Sequence, residues 1–186
     1  NPNFESLIAN SPDILNANIP NNWTGTPDEY RASLVEDRII YATMVTIMDE
    51  GIGLVKDAIG ANGISDNTLI IFMSDNGGKL RQAGAVNYPL TNGKGSTDEG
   101  GHRVPMLFNW PNTLPAGATY DHLVSSIDLY PSFLDLANAA APVGKLLEGK
   151  SVIDELITNQ DARPGESIYV MRPYNGFHNG AVMNGN

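Results

Sequence analysis

The residues best suited to chemistry in this sequence are Asp75 and Asn76, which follow directly after the apolar run 68–73. A short and nearly continuous apolar run is typical of a strand buried on both faces, and ligands of open α/β sheets bind beyond the carboxyl ends of such strands. The carboxylate and amide oxygens suit Ca²⁺ or Mg²⁺ better than zinc or copper. Gly77 and Gly78 then let the backbone turn sharply. The pattern predicts two ligands of a divalent-cation site, and a simple Asp-Asn-Gly turn is the alternative.

A second stretch that could bind a ligand surrounds Lys94, which stands between two glycines. This setting brings a compact positive charge close to an anion while the backbone stays out of the way. The stretch is not a phosphate-binding P-loop, because the spacing Gly-x4-Gly-Lys-Ser/Thr is not met. A solvated loop lysine is the alternative interpretation. Further along the same loop, Glu99 and Arg103 are predicted to form a local salt bridge that pins the loop.

The elements that must position these residues are indicated by hydrophobic periodicity. Apolar residues recur at helical spacing between Leu34 and Ile59, Thr26 is suited to cap the start, and two glycines supply stop signals after the run. A helix from near residue 28 to near residue 60 is therefore expected.

The remaining elements are shorter. The sequence predicts strands over 68–73, 104–110 and 167–171, helices from Ser125 or Ser126 through Leu136 and over 151–156, a functional loop over 77–103, and an irregular segment up to about residue 27. Alternating helices and strands predict an α/β layer arrangement. Three strands are few for a doubly wound sheet, so we expect part of the fold to lie outside this sequence.

Composition narrows the possible partners. The chain has 186 residues, 41% of them hydrophobic and 17% charged, which is typical of a globular protein. Its net charge of -10 argues against nucleic acid and against anionic membrane surfaces as partners. There are no cysteines, which excludes disulfides, thiolate metal sites and cysteine nucleophiles within these residues. The oligomeric state is left open.

The two stretches around Asp75 and Lys94, in this order and at this spacing, resemble the sulfatase family of the alkaline-phosphatase-like superfamily. The resemblance is carried by YATMVTIMDEGIG at 41–53, DNTLIIFMSDNGG at 66–78, NYPL at 87–90, GKG at 93–95 and EGGHRVP at 99–105, with weaker signatures SIDLYP at 126–131 and LEGKS at 147–151. Several linked motifs at matching intervals are far more specific than any one of them.

The resemblance implies a fold and a site. Residues 1–142 would be the C-terminal part of a sulfatase catalytic domain, in which helices sandwich an alkaline-phosphatase-like sheet, and residues 143–186 would begin a small C-terminal α+β region. Asp75 and Asn76 would be two ligands of the active-site cation, usually Ca²⁺ with Mg²⁺ as the alternative, and Lys94 would be catalytic through contact with the sulfate oxygens. The substrate would be a sulfate ester, possibly a sulfated sugar. The family habit implies a periplasmic or secreted location.

The departures from the family pattern matter as well. Sulfatases use a formylglycine made from Cys or Ser in a Cys/Ser-x-Pro-Ser/Ala-Arg motif, which these residues lack, as they lack the paired N-terminal aspartates and the catalytic histidines. Thr91 stands where relatives commonly have Arg. We therefore expect a C-terminal portion of a sulfatase, truncated at both ends and inactive alone. A phosphonate monoester hydrolase or phosphodiesterase of the same superfamily and a degenerate, non-catalytic binding module are the alternatives.

Overall fold

The computed structural model describes residues 2–80, 84–172 and 179–184. These described residues form two compact units, one within the ranges 1–63 and 73–106 and the other within the ranges 64–72 and 107–186. Helices and short strands occur together, which agrees with the predicted α/β class. The expected domain boundary between residues 142 and 143 stays a prediction. Among the helices in these ranges, none combines the length and the apolar content that crossing a bilayer requires.

The first unit is dominated by one long helix, labelled α3 (Pro27–Ala61) because two shorter helices precede it. It begins with a capping box, in which Thr26 Oγ1 accepts a hydrogen bond from Glu29 N at 3.3 Å and Glu29 Oε2 accepts one from Thr26 N at 2.7 Å. After the helix, Gly63 has a φ of +65°, in the left-handed region that favours glycine. The predicted helix and its cap are confirmed.

The two short helices are α1 (Pro2–Ala9) and α2 (Pro12–Leu15), and they lie where the sequence predicted an irregular segment. That prediction was wrong. Helices of eight and four residues present too few positions for a periodic pattern, and their order comes from contact with α3. Ile8 and Ile14 are buried there, and Arg38 of α3 donates to Asp13 of α2 at 2.7 Å.

Two strands flank the loops that carry the predicted site. They are β1 (Ile70–Met73) and β2 (Met106–Asn109), which are hydrogen-bonded neighbours in a two-stranded sheet. Both predicted strands are therefore confirmed with shorter bounds. Between them, the short helix α4 (Glu99–His102) occupies part of the predicted loop. It was not predicted, because two of its four residues are glycines, which are poor helix formers.

After β2, the described part of the second unit contains two further helices and a pair of antiparallel strands. Its elements are α5 (Leu129–Leu136), preceded by a 3₁₀ turn at Ser126–Asp128, then α6 (Ile153–Thr158), β3 (Ser167–Arg172) and β4 (Asn179–Asn184). Ser125 forms a capping box ahead of the 3₁₀ turn, as expected for a helix starting at this point. The last two strands pair antiparallel, from Ser167 opposite Asn184 to Arg172 opposite Asn179. β4 was not predicted, and α6 starts two residues later than expected.

A buried ion pair organises the second unit. Asp128 is completely buried, Arg163 is only 3% exposed, and the two side chains are paired. The remaining acceptor capacity of the carboxylate is used by backbone N–H groups, Ser125 N at 2.8 Å and Lys150 N at 2.9 Å. Ser132 Oγ donates to the Asp128 carbonyl at 2.7 Å. These bonds tie the start of α5 to the segments that follow it in the chain.

Removal of the Arg163 guanidinium tests how much the buried pair contributes to the stability of the fold. Arg163→Met leaves the Asp128 carboxylate buried without its counter-charge, so we expect the free energy of unfolding to fall by about 3–5 kcal/mol. Arg31→Met is the matched control, because the Asp28 carboxylate it pairs with at 3.0 Å is 93% exposed, so the pair should contribute about 0–1 kcal/mol. Urea unfolding of both variants measures the difference, and equal small losses would contradict the expectation.

Candidate active-site groove

The three residues singled out in the sequence line one groove of about 410 Å³ in the first unit. Asp75 and Asn76 lie on the loop after β1, and Lys94 comes from the loop before α4. The remaining lining residues are Asp37, Ile40, Tyr41 and Met44 of α3, together with Ser74, Gly77, Gly78 and Lys79. The fold thus brings the carboxylate, the amide and the ammonium group to one place.

The loop after β1 is held by its own polar groups and by backbone carbonyls of α4 and of the residue just before β2. Ser74 N donates to the Pro105 carbonyl at 3.3 Å, and Gly77 N donates to the Gly101 carbonyl at 2.9 Å. Ser74 Oγ donates to the Asn76 carbonyl at 2.8 Å. The two backbone bonds anchor the loop on both sides of Asp75 and Asn76, so the position of this carboxylate and this amide is set by the backbone.

The donor chemistry of this loop fits a hard cation. Asn76 uses its amide nitrogen to donate to the Gly77 carbonyl at 2.9 Å, so its Oδ1, the atom a hard cation prefers, is not used in that bond. The Asp75 side chain is exposed. Within the described ranges, no three or more acidic, histidine or cysteine side chains are grouped to hold a metal. Asp75 and Asn76 would by themselves be a small part of the six to eight oxygens that Ca²⁺ usually takes.

Lys94 is attached to the same loop through its backbone. Its N–H donates to the Gly78 carbonyl at 3.2 Å, while its side chain is exposed along the groove. Among the ion pairs of the described residues, none includes Lys94. The ammonium group is therefore available to an anion in the groove.

Glycines allow the two loops and α4 to pack backbone against backbone. A Cβ on Gly77 would lie 1.7 Å from the Gly100 carbonyl oxygen, and one on Gly100 would lie 2.0 Å from the Asn92 carbonyl oxygen. A Cβ on Gly93 would lie 2.3 Å from the Gly78 carbonyl oxygen. Real Cβ atoms do not approach oxygen this closely, so the approach of the loops requires glycine at these positions.

A polar cluster stabilises the loop between Lys94 and α4. Asp98 Oδ2 accepts hydrogen bonds from Asn92 Nδ2 at 2.5 Å and from Ser96 Oγ at 2.7 Å. Both hydrogen bonds lower the pKa of the Asp98 carboxyl, and the bond from Asn92 has the larger effect. Its contribution to stability is therefore present above its ordinary pKa of 3.8 and is lost as the pH falls through the lowered value. The predicted pair of Glu99 and Arg103 is confirmed at 3.1 Å.

Sequence reasoning missed the residues of α3 and Lys79 at this groove. Helical periodicity assigns apolar residues such as Ile40 and Met44 to a packing face, so nothing in the pattern predicts that they line a groove. In the sequence, Asn87 counted only as part of the motif NYPL at 87–90, with no role assigned to its side chain, which bonds to both loops. The motif does not show which backbone groups this amide contacts, because only the folded chain brings it between the two loops.

The alternation of helices and strands, with a polar groove next to the end of β1, defines an α/β domain of the alkaline-phosphatase-like class. A family model described as Sulfatase matches residues 15–139. The chain therefore belongs to the sulfatase family.

Similar proteins agree with this assignment. The chain is 35% identical to a sulfatase of Formosa agariphila over 66% of its own length and 24% of that protein. It is 36% identical to human arylsulfatase D, covering 67% of this chain and 22% of that protein, and 33% identical to the Escherichia coli uncharacterized sulfatase YdeN, covering 86% and 27%. The chain thus spans about a quarter of the length of these relatives.

Solved structures show the same fold. The crystal structure of Ps i-CgsB in complex with k-i-k-neocarrahexaose is 42% identical, with a TM-score of 0.76 over 90% of this chain and 38% of that one. A second protein, solved with its substrate D-glucosamine-2-N,6-O-disulfate, is 24% identical with a TM-score of 0.57, over 75% of this chain and 28% of that one. The second match bears on the fold alone.

Alanine at Gly77 tests whether the loops need their close contact. The added Cβ would overlap the Gly100 carbonyl, so we expect Gly77→Ala to cost at least the ~1–3 kcal/mol typical of overpacking. Gly51→Ala is the control, because nothing lies within 4 Å of its Cβ in α3 and it should stabilise by about 0.5–1 kcal/mol. Urea unfolding measures both variants, and a neutral Gly77→Ala would show that the loops can separate without loss.

Proposed function

We propose that the complete gene product hydrolyses sulfate esters, and that this chain supplies part of its active site. Asp75 and Asn76 would be metal ligands, and Lys94 would contact the sulfate oxygens. The observation that carries the proposal is that these three residues line one groove in a chain of the sulfatase family.

Lys94 serves the reaction through its charge. Cleavage of the S–O bond builds negative charge on oxygen, and a fixed cation beside that oxygen lowers the barrier. Because the chain carries a net charge of -10, long-range attraction does not favour an anionic substrate, and local cations must do so. Lys94, anchored through its backbone N–H to Gly78, is such a cation.

The oxygens of Asp75 and Asn76 suit Ca²⁺, with Mg²⁺ as the alternative, and further ligands would come from outside these residues. When bound, the cation would polarise the sulfuryl oxygens as a Lewis acid. The chain's own part is to hold one carboxylate and one amide at the end of β1. The backbone bonds of Ser74 and Gly77 do this.

Sulfated carbohydrate is the substrate class we propose. The support is similarity: Ps i-CgsB, 42% identical, was solved with a neocarrahexaose, and the N-acetylgalactosamine-6-sulfatase of Canis lupus familiaris is 34% identical. Polymeric sulfated sugars lie outside the cell, and a periplasmic or secreted location is part of the same proposal.

The role of Lys94 is tested in the complete gene product with an aryl sulfate. Lys94→Met removes the cation and keeps most of the side-chain volume, so we expect kcat/KM to fall by about 10²–10³-fold. Lys145→Met is the control, because Lys145 is an exposed lysine of the second unit and should leave kcat/KM unchanged.

An aryl phosphonate ester assayed beside the sulfate separates the related reaction classes. Higher kcat/KM on the phosphonate would replace the proposed sulfatase activity by phosphonate hydrolysis. Full activity of Lys94→Met on the sulfate would contradict the role of Lys94, whichever ester is preferred.

The 186 residues by themselves should not turn over aryl sulfates, because the family's nucleophile motif is not among them. Because Asp75 and Asn76 provide too few of the oxygens that Ca²⁺ needs, we also expect Ca²⁺ to bind this chain with a dissociation constant above about 10⁻³ M. Calorimetry with Ca²⁺ and a single-turnover assay on the purified chain measure the two quantities. Micromolar binding of Ca²⁺ would reveal ligands beyond Asp75 and Asn76.

A further inference from the structure

We propose that Asn87 is a positioning residue that sets the place of Lys94 relative to Asp75 and Asn76. The inference rests on the proposed function and gives a role to a residue outside the stretches 75–78 and 93–95 that carry the proposed functional groups. Asn87 lies between the two loops in sequence and bonds to both of them in space.

The amide of Asn87 uses both of its donors and one acceptor position between the loops. Its Oδ1 accepts from Gly78 N at 3.0 Å, and its Nδ2 donates to the Gly78 carbonyl at 2.8 Å and to the Asn92 carbonyl at 2.9 Å. A primary amide has two N–H donors, and both have a partner here. The side chain therefore satisfies both backbone groups of Gly78 and one of Asn92.

These partners lead directly to the proposed functional groups. Gly78 lies three residues after Asp75, and Asn92 lies two residues before Lys94. The Gly78 carbonyl also accepts from Lys94 N at 3.2 Å, so Asn87 and the lysine backbone share one acceptor. A shift of the Asn87 amide would change the spacing between the two loops at the point where the lysine leaves the backbone.

The surroundings restrict this position to an amide of this length. A Cβ on Gly93 would lie 2.5 Å from Asn87 Nδ2, so glycine is needed to admit the amide. Asp has the same shape but presents an acceptor oxygen to the Gly78 and Asn92 carbonyls, where donors are required. Gln adds a methylene in a region where the backbones already touch. Asn87→Asp is therefore a near-isosteric variant that replaces the two bonds donated by Nδ2 with repulsion between oxygens.

The test uses the complete gene product, an aryl sulfate and a double-mutant cycle. We expect Asn87→Asp to lower kcat/KM by about 10- to 100-fold, since small misplacements of a catalytic group have effects of this size. In the Lys94→Met background the same change should cost less than about threefold, because no ammonium group is left to position. A merely structural role would cost the same factor in both backgrounds.

Asn16→Asp is the matched control. Asn16 Nδ2 also donates to a backbone carbonyl, that of Pro12 at 2.8 Å, and the change adds the same charge at an exposed site. It should alter kcat/KM by less than about twofold, because Asn16 is exposed and is not among the residues that line the groove.

Thermal unfolding is measured for each variant, and Asn87→Ala, which removes the amide without adding repulsion, replaces Asn87→Asp if the latter does not fold. Equal losses in the two backgrounds, no loss of activity, or failure of both variants to fold would each overturn the positioning role. If Lys94→Met alone leaves kcat/KM unchanged, the proposed function of Lys94 fails instead, and the two failures are told apart.

Discussion

The structure of the groove depends on the direct approach of two backbones, the loop after β1 and the loop that carries Lys94. Gly93 makes this approach possible, because a Cβ there would lie 2.3 Å from the Gly78 carbonyl oxygen of the other loop, and Gly77 lets the loop after β1 meet α4, where its Cβ would lie 1.7 Å from the Gly100 carbonyl oxygen. Where the two loops meet, their N–H and C=O groups satisfy each other, as Lys94 N does with the Gly78 carbonyl. Side chains are then left free for ligands, since the backbone supplies the bonds that hold the loops.

In the second unit a charged side chain is buried and paired within the protein. There the Asp128 carboxylate is removed from water and paired with Arg163, and backbone N–H groups take its other lone pairs. Such a cluster stabilises one arrangement because any partner removed leaves a buried charge unsatisfied. The groove instead keeps Asp75 and Lys94 exposed. A ligand site needs exposed charges of this kind, because their partners must come from the ligand and not from the protein.

The acidic chain and its groove fit one functional picture. With a net charge of -10, the surface as a whole does not attract anions, so the proposed binding of a sulfate ester would depend on a few placed cations and on the proposed metal. Lys94 and Lys79 both line the groove. In that proposal the placement of these charges matters more than their number, and the amide of Asn87 between the two loops would serve that placement.

The sequence by itself determined the elements whose signals are local: the capped helix α3, the strand β1 just before Asp75, and the short-range pair of Glu99 and Arg103. It also identified the sulfatase family, because linked motifs persist in order along the chain. Only the tertiary structure decided the short helices α1, α2 and α4, the strand β4, the share of α3 in the groove, and the bonds of Asn87. The reason is physical. These features arise from contacts between residues distant in sequence, and periodicity and capping report only on neighbours.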